Sequence, residues 1–221
     1  MNPILQTTAD KSDTLLNPEL NQTYHSVHGA VQESEHVYIK NGLLKINLPE
    51  ITIFEMGFGT GLNALLTFKH AQQQNFKIHY ICVEKYPVSI SIAAQLNYCN
   101  IFSELSMTYN LFHNCLWDTQ IIVSDNFTFT KHHTDISSYV HIKQYHLVYY
   151  DAFSPDAQPE LWSTDIFKLL YNAMHPDGIF TTYTTKGIVK QNLRTCGFIV
   201  KRLKGPPGKH QMLNAFKNPR I

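Results

Sequence analysis

Ile51-Thr52-Ile53-Phe54-Glu55-Met56-Gly57-Phe58-Gly59-Thr60-Gly61-Leu62-Asn63 is an apolar run that meets three alternating glycines and then a helix-like segment. Its shape is a strand, a tight glycine turn and a helix start, with backbone N–H groups turned toward a ligand. Three glycines in five residues cost conformational entropy that an ordinary strand-to-helix turn has no reason to spend. A dinucleotide loop would space them G-x-G-x-x-G, whereas here the third glycine comes one position early and Glu55 stands just ahead.

That arrangement is expected where S-adenosylmethionine sits. The ligand has no pyrophosphate, so the glycines serve close backbone approach, while an acid nearby either holds its ammonium or orders the loop. Phe58 and Asn63 belong to the same loop and count with it as candidate cofactor contacts. A second acid, Glu84, ends the apolar run Ile78 to Val83, 23 positions after Gly61. In nucleotide-binding α/β sheets an acid about that far along accepts hydrogen bonds from ribose hydroxyls.

The chain has 221 residues, of which 43% are hydrophobic and 12% aromatic, enough for one sizeable core. Cys82, Cys99, Cys115 and Cys196 are 17, 16 and 81 positions apart with no C-x-x-C pair, so reduced thiols and a cytoplasmic setting are expected. Twelve histidines show no metal-ligand spacing, and no metal is expected. No segment is apolar for about 18 residues and no basic-then-apolar leader opens the chain, which argues against a membrane partner. Net charge is +1 but unevenly spread. Lys186, Lys190, Arg194, Lys201, Arg202, Lys204, Lys209, Lys217 and Arg220, half of the 18 basic residues, fall in an acid-free tail of 36, which points toward phosphate binding.

Strand-like segments at 51–56, 78–84, 127–132, 145–151 and 178–184 alternate with helical patterns at 62–70, 88–96 and 164–174, which predicts an α/β fold with a mostly parallel sheet covered on both faces. Residues 198–203 and 211–216 flank Gly205-Pro206-Pro207-Gly208 and predict an antiparallel C-terminal hairpin. Residues 1 to about 20 read as an irregular, loosely held entry, and the chain is expected to divide into an N-terminal extension, 1–48, packed on a core of 49–221. Residues 98–126 carry no clear assignment. Ligands of open α/β sheets bind beyond the carboxyl ends of the strands, so Asp151-Ala152-Phe153-Ser154-Pro155, after the fourth strand, is where reacting groups should lie.

The Glu55 to Asn63 loop, the Asp151 to Pro155 loop with Pro159, Glu160, Leu161 and Trp162, and Lys204-Gly205-Pro206-Pro207-Gly208-Lys209-His210-Gln211-Met212 together resemble the MnmD family, from about Tyr24 to Phe216. That family matches the methyltransferase half of bifunctional MnmC. The resemblance implies a class I methyltransferase (Rossmann-like) fold with a seven-stranded sheet. It also implies methyl transfer from S-adenosylmethionine to the primary amine of 5-aminomethyl-(2-thio)uridine in the tRNA anticodon loop. Carried over by position, Gly57, Gly59 and Gly61 line the methionine end, Glu84 takes the ribose, Asp135 sits at the adenine contact and Asp151 is the catalytic aspartate. A carboxylate there would orient the amine and take up its proton without needing an unusual pKa. The 221 residues leave no room for MnmC's flavin-dependent domain, so the enzyme that prepares the amine is expected to be separate. Ala152 replaces the family's more usual glycine, and the tail is richer in proline.

Tyr24, His25, Ser26, Tyr38, Phe153, Pro155 and Tyr183 are candidate walls for a flipped-out uridine, and Lys204 and Lys209 for its backbone. Two other functions use the same features. A transferase of similar fold acting on a free small amine, methyl or aminopropyl, would want acids and have no use for the basic tail. A non-catalytic RNA-binding module would keep the tail but not need Glu55, Glu84 and Asp151.

Overall fold

Glu50–Met56 is buried along nearly its whole length, as a strand at the centre of a covered parallel sheet must be. In the computed structural model, which describes residues 3–142 and 144–218, it holds that position. In chain order the elements are β1 (Ile4–Thr7), β2 (Asp13–Asn17), β3 (Gln22–Thr23), α1 (Ala30–Ser34), a π-helical turn (Glu35–Lys40), β4 (Glu50–Met56), α2 (Leu62–Gln74), β5 (Lys77–Glu84), α3 (Ile90–Ala93), α4 (Tyr98–Ile101) and α5 (Ser106–Asn114). There follow β6 (Ile121–Ser124), β7 (Phe127–His133), β8 (Tyr145–Tyr150), α6 (Thr164–Ala173), β9 (Met174–Thr182), α7 (Gly187–Thr195), β10 (Ile199–Lys204) and β11 (Gln211–Phe216).

The main sheet runs β10-β11-β9-β8-β4-β5-β7-β6. Its five central strands are parallel, and β6, β11 and β10 are antiparallel to their neighbours. The C-terminal hairpin forms as expected. The sheet has eight strands rather than seven, because Ile121–Ser124 folds back through Asp125 and Asn126 onto β7 at the edge. Strand order reverses around β4, whose neighbours are β5 on one side and β8 on the other, so the carboxyl ends of β4 and β8 border the crevice where such sheets bind ligands.

The amino-terminal residues are not the irregular entry that their polarity suggested. β1, β2 and β3 form a second, antiparallel sheet. Its first turn is built by Asp10, whose carboxylate accepts from the Thr8 hydroxyl and the Ser12 N–H, with Lys11 at φ 68° between them. β2 is buried although largely polar: Asp13 exchanges hydrogen bonds with Asn97, and the Tyr98 hydroxyl donates to the Asp13 carbonyl. Hydrogen bonding of this kind is what lets a polar strand be buried, and it leaves no apolar alternation to read.

Among the described residues no helix is long and apolar enough to cross a membrane, all four cysteines are free, and no cluster of three His, Cys, Asp or Glu side chains is placed to hold a metal. Arg220 of the basic tail lies outside the described residues.

Candidate active site

The ends of β4, β5, β7 and β8 open into one cleft of about 900 Å³. Register fixes its centre: Met56 is paired with Tyr150, and the Asp151 N–H donates to the Met56 carbonyl at 3.2 Å, so the glycine loop and the acidic loop leave the sheet side by side.

Within the glycine loop the structure separates residues that face the cleft from those that shape it. Gly59 has φ 51°, and a Cβ there would lie 3.1 Å from the Tyr24 ring, leaving only backbone at the cleft wall. Gly61 does not line the cleft. At φ 75° it opens α2, and a Cβ would strike His113 Nε2 and the Phe58 ring at 2.9 Å, so helix packing alone demands glycine here. Glu55 is likewise off the cleft, 1% exposed beneath the loop, with Oε1 accepting from the Asn63 amide at 3.0 Å. Of its two expected roles, the bond to Asn63 fits the ordering of the loop. Burial pushes its carboxyl well above the usual range, with Tyr80 and Asn63 opposing. Gly57, Phe58 and Asn63 do line the cleft, Phe58 resting 5.1 Å from the His113 ring.

Glu84 and Asp135 stand further along the same wall. Glu84 accepts the Gly59 N–H at 3.0 Å through Oε2 and the Tyr86 N–H at 2.9 Å through Oε1, which clips β5 to the glycine loop. Burial raises its carboxyl and these backbone donors pull it back. Asp135 caps the turn after β7, accepting from the Ser137 N–H at 2.9 Å, and pairs with Lys85 at 2.8 Å, which holds its carboxyl down at about 2. A side-chain-free approach at Gly59 and two accepting carboxylates, Glu84 and Asp135, in the same cleft suit a nucleoside carrying an amino-acid chain.

Asp151 is gripped on both oxygens. The Tyr38 hydroxyl donates to Oδ1 at 2.6 Å and the Asn63 amide to Oδ2 at 2.8 Å. Burial pushes its carboxyl up to about 7, with the Tyr38 hydrogen bond pulling down and Glu33 adding to the rise. The sequence had suggested no need for an unusual pKa, yet the structure supplies one, poised at neutrality where a general base is most effective.

Tyr24 and Phe153 meet edge to face at 5.0 Å over the cleft, and Gln22 and Ser154 clamp β3 to the acidic loop through reciprocal bonds of 2.6 and 3.1 Å. The Tyr183 hydroxyl donates to the Ala152 carbonyl at 3.0 Å. His25 lines the cleft but is held between Thr14 and Thr60, and burial lowers it to about 4, so it is neutral at pH 7. Ser26 donates its N–H to Glu33. Pro155 is buried and lies outside the cleft lining. Lys204 is exposed on β10, outside the cleft, while Lys209 lines it and pairs with Glu33. Tyr38 is 1% exposed and off the cleft, which replaces its expected role as a wall for the base by one behind Asp151. Glu33 and Gln22 were not legible as site residues, because both lie in segments without periodicity.

Residues 109–218 match the sequence model of a family of S-adenosyl-L-methionine-dependent methyltransferases. The bifunctional protein MnmC of Idiomarina loihiensis, whose name describes tRNA 5-methylaminomethyl-2-thiouridine biosynthesis, is 32% identical over 212 residues, covering 86% of this chain and 34% of its own. Over residues 109–218 the chain is similar to S-adenosylmethionine-dependent methyltransferases, and over most of its length to MnmC. It spans about a third of the length of the curated relatives it matches, 31% to 34%. The crystal structure of MnmC2 from Aquifex aeolicus superposes with a TM-score of 0.80 at 24% identity, covering 100% of this chain and 73% of that one, and spermidine synthase from Thermotoga maritima with 0.56 at 14%, covering 100% and 73%. At those identities the two structures establish the class I methyltransferase fold.

Proposed function

We propose that this MnmD-like enzyme methylates the primary amine of a 5-aminomethyl-uridine at the wobble position of tRNA. The observation that carries the proposal is Asp151, held by two donors at the mouth of the cofactor cleft with its carboxyl at about 7. Gly57, Gly59, Glu84 and Asp135 would hold the cofactor. When bound, S-adenosylmethionine supplies a methyl group already activated by its sulfonium. The protein's part is then to present a neutral amine in line with that methyl and to receive the proton the new secondary ammonium loses. Positioning is the larger contribution, roughly 7 to 11 kcal/mol for a well-aligned pair. Proton uptake by the Asp151 carboxylate adds about a hundred- to ten-thousandfold.

Tyr24 and Phe153 offer aromatic faces on which an unstacked loop base can rest. Lys190, Arg194, Lys201, Arg202 and Lys204 make no side-chain ion pair among the described residues and stand available to phosphates. A free polyamine has no need of them, and the fold shared with spermidine synthase carries no argument about substrate. The tRNA pool would be cytoplasmic.

Labelled S-adenosylmethionine and tRNA from cells lacking this methylation step test the proposal. Label is expected in a methylaminomethyl nucleoside after digestion. Label in a free small amine, with none in tRNA, would overturn it.

A further inference from the structure

Tyr38 sits in the π-helical turn Glu35–Lys40, which follows directly on α1. Such turns are rare and are frequently found at functional sites. This one sends a phenol that is 1% exposed past the Tyr149 ring, 5.1 Å away, to place its hydroxyl 2.6 Å from Asp151 Oδ1. On the other side of the carboxylate, the Asn63 amide donates one hydrogen to Asp151 Oδ2 at 2.8 Å and the other to Glu55 Oε1 at 3.0 Å. Both amide hydrogens are engaged, so the amide cannot flip without losing two acceptors.

We propose that Tyr38 is a positioning residue of the methyl transfer. With Asn63, itself fixed by Glu55, it turns the Asp151 carboxylate so that one lone pair on each oxygen is left for the substrate amine. Tyr38 and Glu55 lie behind the cleft wall and do not line it, so they act only through Asp151 and Asn63. The inference rests on Asp151 being the proton acceptor.

Loss of the phenol hydroxyl removes a donor to the ionised carboxylate and thereby favours its protonated form. The other groups facing Asp151 are Asn63 on α2, Glu33 on α1, Glu55 on β4, Lys209 in the hairpin loop and Tyr183 after β9. All of them are unchanged in a Tyr38 variant, so a shift in the pH profile reports the Tyr38 contact.

The test is the pH dependence of single-turnover methyl transfer, measured on the full chain with tRNA as acceptor. Tyr38→Phe is expected to keep cofactor affinity and to move the acid limb upward by roughly one to two pH units, as loss of a hydrogen bond to a charged group implies. Replacement of Tyr38 by a fluorinated tyrosine keeps the packing and makes the phenol a stronger donor, so the limb is expected to move downward. That second variant decides the matter if the Phe variant folds poorly. An unmoved limb in the fluorotyrosine protein would overturn the inference. Asp151→Asn run alongside separates the two failures. An active Asn variant removes the catalytic assignment of Asp151, and an inactive one beside an unmoved limb removes the role of Tyr38 alone.

Discussion

Lys209 closes an ion pair on Glu33 inside the cleft wall and holds its ammonium 4.4 Å from the centre of the Tyr183 ring. The tail is acid-free in sequence, but its compensating acid arrives from 176 positions earlier, carried on α1. Glu33 is 6% exposed and also accepts the Ser26 N–H, so the pair ties the C-terminal hairpin loop to the amino-terminal segment.

Lys209→Ala is therefore expected to behave as a lesion of the cleft and not as the loss of a surface phosphate contact. It leaves a buried carboxylate with its charge uncompensated, a loss of about 1 to 3 kcal/mol for a pair that is partly open to water. The melting temperature should fall by several degrees, and adding Glu33→Gln should recover most of it. An unchanged melting temperature in the single variant would count against the pair.

RNA binding is expected to depend on Lys190, Arg194, Lys201, Arg202 and Lys204, of which all but the half-buried Lys190 are exposed. If four or five of them meet phosphates, log affinity should fall with log salt at a slope of about 3 to 4.5 in magnitude. Lys204→Ala should reduce that slope by nearly one and leave both melting temperature and cofactor affinity alone. A flat salt dependence would favour a small-molecule acceptor.

The parallel core was legible because Ile51 to Met56 and Ile78 to Val83 are mostly apolar runs followed by glycine or acid, the pattern of strands buried on both faces. Asp151 could be placed for the same reason, since a strand end fixes where a loop begins. The amino-terminal sheet was not legible. β2 buries Asp13, Thr14 and Asn17 by satisfying them with hydrogen bonds, Asp13 through Asn97 far away in sequence and Thr14 through His25, and no hydrophobic periodicity reports such pairing. β6 did carry a signal, Ile121 to Ser124 against Phe127 to Thr130 across Asp125 and Asn126, in a stretch that periodicity alone had left unassigned. The roles of Glu55 and Gly61 could not be divided from those of Gly57 and Gly59 by spacing, because which side of a tight loop faces a ligand depends on what packs beneath it.

The two faces of that loop make separable expectations. Gly59→Ala puts a Cβ at φ 51° against Tyr24 on the cleft side, so calorimetry should show weakened S-adenosylmethionine binding with a modest stability loss. Gly61→Ala drives a Cβ into Phe58 and His113, so its main effect should be a stability loss of about 1 to 3 kcal/mol. Equal effects of both variants on cofactor affinity would contradict the division.

Asp151→Asn tests function and electrostatics together. In the folded protein the carboxyl titrates at about 7, above its ordinary value of 3.8. A group raised on folding contributes stability that is complete below the unfolded value, near pH 4, and is lost as pH climbs through 7, where burial of the charged form must be borne. The Asn variant carries no such charge. Its melting temperature relative to the parent should therefore rise between pH 4 and pH 8 and show no gain below pH 4. Single-turnover methyl transfer should fall at least a hundredfold, about 2.7 kcal/mol, and the acid limb near pH 7 should disappear. An aspartate serving only to hold its loop predicts the reverse, with melting temperature and cofactor affinity lost together at every pH. Near-parental methylation by a well-folded Asn variant would remove Asp151 from the chemistry.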